Sequence, residues 1–131
     1  PDGSDVPIDL SRFLSSGVVN LEEELSSDAE LALLMQFAQA VDQGEAETMV
    51  AAVCRGHGFV SDDRKALKVL LAHTSSVPIL TTVGLMRRWA SASNPNPDEL
   101  KDTLRRIEVG GNFLPSRKDL DAAWWQSITQ V

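Results

Sequence analysis

A single cysteine, Cys54, in 131 residues excludes an internal disulfide framework and agrees with a reducing compartment. No apolar run approaches the roughly 18 residues of a membrane-spanning helix, so no membrane association is expected. The acidic opening stretch, PDGSDVPIDL, has neither a basic n-region nor an apolar core, and no secretory signal is read there. An initiator Met is missing as well, so the chain is read as a piece cut from something larger. Together these absences point to a cytoplasmic location. β-branched residues nowhere alternate convincingly, which leaves strands almost without support. Internal repeats and low-complexity tracts are lacking too. One Cys and two His cannot assemble a standard structural zinc site. GHG and GGN lack the spacing and the following Lys of a phosphate-binding loop. No catalytic, cofactor or metal site is assigned.

What is present is ordinary in amount and uneven in placement. An apolar share of 43% and a charged share of 24% suit one compact domain with a core. Residues 1–50 hold 11 acidic side chains and one basic, a net of -10, whereas residues 51–131 hold 11 basic and 8 acidic, a net of +3. The total of -7 makes nucleic acid a poor partner, since phosphate binding rests on a concentrated basic surface. The asymmetry instead suits an acidic surface meeting a basic one, within the molecule or between copies. An acidic tail that only keeps the chain in solution is the plainer reading.

Helical signals recur about every 20 residues. PIDLSRFLSSG suggests a short helix stopped by Gly17, within an N-terminal arm of residues 1–25. Residues 26–131 read as a single helical domain. Ser27 and Glu30 form a capping box that opens a helix ending near Gly44. Its Leu31, Leu34, Met35, Ala38 and Val41 form a stripe, widened by Leu33 and Phe37, which predicts burial on most sides. Ala46, Met49, Val50, Val53 and Cys54 share one face of the next helix, stopped by Gly56 or Gly58. Ser61 is expected to cap DDRKALKVLLAHT, and Pro78 to sit in the first turn of VPILTTVGLMRRWASAS. Gly84 inside that helix predicts a close helix–helix approach. Asn96-Pro97-Asp98-Glu99 stacks three start signals in four residues. Gly110 and Gly111 end that helix, and Ser116 begins the last, with Leu120, Trp124 and Ile128 inward. The expected fold is all-α, a compact antiparallel bundle of about six helices with a partly ordered N-terminal arm.

The segment LMRRWASASNPNPDELKDTLRRI, residues 85–107, resembles the death-domain superfamily of intracellular signalling adaptors. Leu85, Met86 and Trp89 match the family's fourth helix, and Leu100, Leu104 and Ile107 its leucine-bearing fifth. The first-helix region has no Trp where many members have one, and Cys54 and Gly56 replace the usual leucine–glycine ending of the second helix. The resemblance implies a six-helix adaptor that recruits partners or copies of itself. A second segment, residues 37–63, is similar to the helical leaders that deliver bacterial peptide precursors to modifying enzymes. Gly110-Gly111 would serve as their double glycine, although NFLPSRKDLDAAWWQSITQV is poor in residues to modify.

Cys54 and His57 lie three apart near a helix end, which raises a thiolate–imidazole pair. A catalytic pair needs a third, orienting group, and Cys54 shares its face with Val50 and Val53 as a small hydrophobe would. Asp62 and Asp63 suit a helix start better than a metal or acid pair. Arg87, Arg88, Arg105 and Arg106 flank one turn and are candidate contacts for an acidic partner, with Arg105 and Arg106 also able to pair with Asp102. Trp125, about 100° around the helix from Trp124, is expected near Asp121 and Thr129 on the polar side, as an interface anchor or folded over Phe13 or Leu14. These residues suggest a non-catalytic module that binds protein. The alternatives are a structural or regulatory helical subunit of a larger bacterial or viral assembly, a leader-like recognition domain, or a small Cys/His enzyme.

Overall fold

The computed structural model describes residues 7–130. Its elements are α1 (Ser11–Ser15), α2 (Asp28–Phe37), α3 (Gln43–Arg55), β1 (Phe59–Val60), α4 (Arg64–His73), β2 (Ile79–Leu80), α5 (Thr82–Ser93), α6 (Pro97–Gly110) and α7 (Ala122–Thr129). The fold is all-α; the two strands are only two residues long.

Five of these helices begin the same way. The side chains of Ser27, Asp42, Asp63, Thr81 and Asn96 each accept a hydrogen bond from the amide three residues on. Each such cap satisfies an amide the helix cannot, at typically about 1 kcal/mol. Three caps differ from expectation. Asp42 ends any continuity between α2 and α3, so Gly44 lies in the first turn of α3 and terminates nothing. Asp63, not Ser61, caps α4, because the Ser61 hydroxyl is taken by the Asp63 amide. Thr81 starts α5 three residues after Pro78. The intervening Ile79-Leu80 pairs in parallel with Phe59-Val60, the Phe59 amide donating to the Pro78 carbonyl at 2.8 Å.

The apolar side chains gather into two clusters. Phe37, Met49, Val50, Phe59, Ala66 and Leu70 centre the first, which α2, α3, β1 and α4 build. Val83, Leu104 and Trp125 centre the second, within α5, α6 and α7. The short sheet lies where the two halves join, and Asp62 crosses the same junction to accept from the Thr82 amide (2.9 Å) and hydroxyl (2.5 Å). Gly84 does not mark the close helix–helix approach expected of it: a Cβ there would meet only the side chains of Leu80, Thr81 and Asp121, at ordinary contact distances of 3.4, 3.5 and 3.8 Å.

Three burial expectations are overturned. Only Phe37 of α2 is fully buried, while Met35 is 72% exposed and Leu31 42%. A ten-residue helix packed chiefly on α3 has one covered face, whatever its composition. Cys54 is exposed rather than core. The third concerns α7. It begins at Ala122, six residues after Ser116, so Leu120 lies outside it and is 97% exposed. The buried set is Ala122, Trp125 and Thr129, at i, i+3 and i+7, while Trp124 is half-buried. Trp125 is therefore core, not a solvent-facing anchor. Trp89 is half-buried and stands outside both clusters.

Candidate functional site

Arg55, in the last turn of α3, gathers the acidic segment that precedes α2. Its guanidinium donates to Glu22 Oε2 at 2.8 Å, to the Glu23 carbonyl at 2.7 Å, to the Glu24 carbonyl at 3.2 Å, and to both Glu30 oxygens at 3.1 and 3.2 Å. His57 Nε2 lies 3.0 Å from Glu22 Oε1. Gly56, at φ +71, ends α3 in the left-handed conformation that brings the chain round to His57. The Arg55 hydrogen bonds hold the Glu22 and Glu30 carboxyls below the ordinary glutamate value of 4.5. The same two carboxylates push Arg55 further up. Part of the acidic excess thus meets a cation within the molecule, but at Arg55 rather than at the four arginines of α5 and α6.

Those four arginines separate. Arg87 is ion-paired to Asp121, just before α7, and lies 5.9 Å from the Trp124 ring centre. Arg105 donates through Nε and Nη2 to the Thr129 carbonyl at the other end of α7, at 3.3 and 2.8 Å. Eight residues of helix separate Asp121 from Thr129, about 12 Å of rise, so Arg87 and Arg105 do not share one patch. Both fasten α7. Arg106 pairs with Asp102 at 2.8 Å on a wet surface, and Arg88 is exposed with no partner among the described residues. Trp125 donates its indole N–H to Glu108 Oε1 at 2.7 Å and meets Phe113 edge-on at 5.5 Å. Its polar atom is satisfied inside the fold.

A different basic surface does assemble. Arg64, Lys65 and Lys68 of α4 and Lys118 of the loop before α7 line an open groove of about 640 Å³, floored by Leu67 and Leu71. None of the four forms an ion pair among the described residues, and Leu71 is 59% exposed. Sequence reasoning missed it because Lys118 is some 50 residues from Lys68. The only signal was the RKALK spacing itself. An acidic counterpart of about 480 Å³ lies between the arm and the α2–α3 pair, lined by Glu22, Glu23, Glu24 and Glu47 over Leu25 and Leu34.

His57 is engaged with Glu22, and Cys54 is an exposed free thiol. Asp63 caps α4 and stands close to Glu45, whose carboxyl is pushed up by burial and by the Asp63 and Asp42 charges. Among the described residues no group of His, Cys, Asp and Glu could hold a metal ion, and no helix is long and apolar enough to cross a membrane. The chain matches no protein-family model, no curated protein and no solved structure.

Proposed function

We propose that this chain is a non-catalytic helical module that works by binding protein, recruiting copies of itself through acidic and basic surfaces. The observation behind this reading is the segregation of unpaired charge. Among the described residues, Glu23 and Glu24 lack side-chain partners on one groove, and Arg64, Lys65, Lys68 and Lys118 lack them on another. Folding does not use these charges, and each group stands over exposed or half-buried leucine. A cytoplasmic setting belongs to the same reading, since a free exposed thiol suits a reducing compartment. A death-fold-like form of the module draws on the paired helices α5 and α6, joined by the Asn96 cap over residues 85–107. Arg88 and Arg106 stay available as peripheral contacts, whereas Arg87, Arg105 and Trp125 serve the fold.

Sedimentation of the folded chain tests the reading. Raising salt from about 0.05 to about 0.5 M shortens the Debye length from about 14 to about 4 Å. Self-association at low salt that is lost at high salt is the expected result. A chain that stays monomeric at both salts overturns it. Association indifferent to salt favours a second reading, a subunit of a larger assembly held by apolar contacts, for which the exposed Leu31 and Met35 of α2 speak.

A further inference from the structure

We infer that the groove of α4 and Lys118 is the docking site for the acidic face of a second copy of this chain, so that copies add head to tail. The inference rests on the proposed self-recruitment and names its two surfaces.

Four cations line one groove and four carboxylates the other, on the same polypeptide. Intramolecular pairing does not use them up. Glu22 is committed to Arg55 and His57, and Glu47 accepts from Gln43 Nε2 at 2.8 Å, but Glu23 and Glu24 contribute only backbone carbonyls to Arg55. The cations are also badly placed for their own helix. Arg64 and Lys65 occupy the first turn of α4, where the helix dipole disfavours positive charge, although the Asp63 carboxylate that caps this end offsets part of that cost. A carboxylate face brought up to the groove would pair its cations. Apolar contact is available alongside: Leu71 in the basic groove, and Leu21, 82% exposed, beside Glu22 in the acidic segment.

Because the two faces differ, their contact is heterologous. Each copy that joins leaves one acidic and one basic face open, which generates rings or open chains rather than a closed two-fold dimer. A contact made chiefly by exposed charges is strongly salt-dependent.

Two triple variants test the assignment. Lys65→Gln/Lys68→Gln/Lys118→Gln removes three of the four charges of the basic face and leaves Arg64. Glu23→Gln/Glu24→Gln/Glu47→Gln removes three of the four charges of the acidic face, leaving Glu22 in the Arg55 clamp and a carbonyl at position 47 for Gln43. All six positions are exposed, and unchanged circular dichroism and thermal midpoint confirm folding. In low salt the parent chain should sediment as a concentration-dependent series, and each variant alone as a monomer. An equimolar mixture of the two should form 1:1 heterodimers and nothing larger, since only one complementary pair of faces remains. Variants that associate as the parent does, or that fail to pair when mixed, overturn the docking assignment while self-recruitment stands. A parent chain that stays monomeric overturns both.

Discussion

Trp125 reverses a rule that works for its neighbour. Two adjacent tryptophans on a helix point about 100° apart, and the apolar residues at 120, 124 and 128 assign the core to Trp124. The fold assigns it to Trp125, which is fully buried against Phe113 and donates to Glu108. Trp125→Ala should cost about 3–5 kcal/mol, as loss of a buried aromatic does. It also leaves Glu108 without its donor. Trp124→Ala, from a half-buried site, should cost clearly less. Chemical denaturation of both variants checks the order; equal losses would mean that the two rings share the core. Glu45 supplies a test of opposite sign. Its carboxyl is pushed up, so its charged form is disfavoured in the folded state. The associated stability is present below the unfolded value and lost as pH rises through the folded one. Glu45→Gln should therefore raise the thermal midpoint at pH 7 and make no difference near pH 3.

At the level of elements, the arm before α2 shows how one side chain can order a segment without secondary structure. Residues 20–26 lie in neither helix nor strand, yet Arg55 binds two of their carbonyls and a carboxylate. Arg55→Gln should expose this stretch to limited proteolysis while α3 and α4 keep their helical signal. Acid should do the same. Glu22 and Glu30 have lowered values in the folded state, so their contribution is present above the ordinary glutamate value of 4.5 and is lost as pH falls through the folded values. Cleavage between residues 18 and 26, followed by mass spectrometry with an acid-active protease, should rise as pH drops below that range. An arm equally protected at pH 3 and pH 7 would show that its apolar contacts, led by Leu25, hold it instead.

Across the whole molecule, two clusters share one chain and meet at a two-residue sheet and the Asp62–Thr82 contact. The second cluster has only three fully buried side chains, too small a core to stand alone in a unit of about 50 residues. The halves should therefore open together. Leu104→Ala, costing about 2–5 kcal/mol, should lower amide protection in α3 as well as in α6. Hydrogen exchange that loosens α5–α7 and leaves α3 unchanged would instead make the halves separate folding units. Arg87 and Arg105 belong to this scale too, since reversing them to Glu should release α7 from α5 and α6 respectively.

Chain-local physics settled much of this architecture. The number of main helices, the all-α class, the Ser27 and Asn96 caps, the Gly56 stop and the short helix ending before Gly17 all follow from residues within one turn of each other. Capping and backbone preference depend on near neighbours, so the sequence alone was enough. Registers that depend on distant partners came only with the tertiary structure. Ile79-Leu80 forms a strand because Phe59-Val60 lies beside it, and α7 turns Trp125 inward because Phe113 and Glu108 wait there. The candidate surfaces divide the same way. Adjacent arginines were visible as RR pairs, but their separation to opposite ends of α7 was not. The basic groove needed Lys118 carried across from a loop some 50 residues on. Local free energies depend on which residues are neighbours in sequence, whereas surfaces and cores depend on which become neighbours in space.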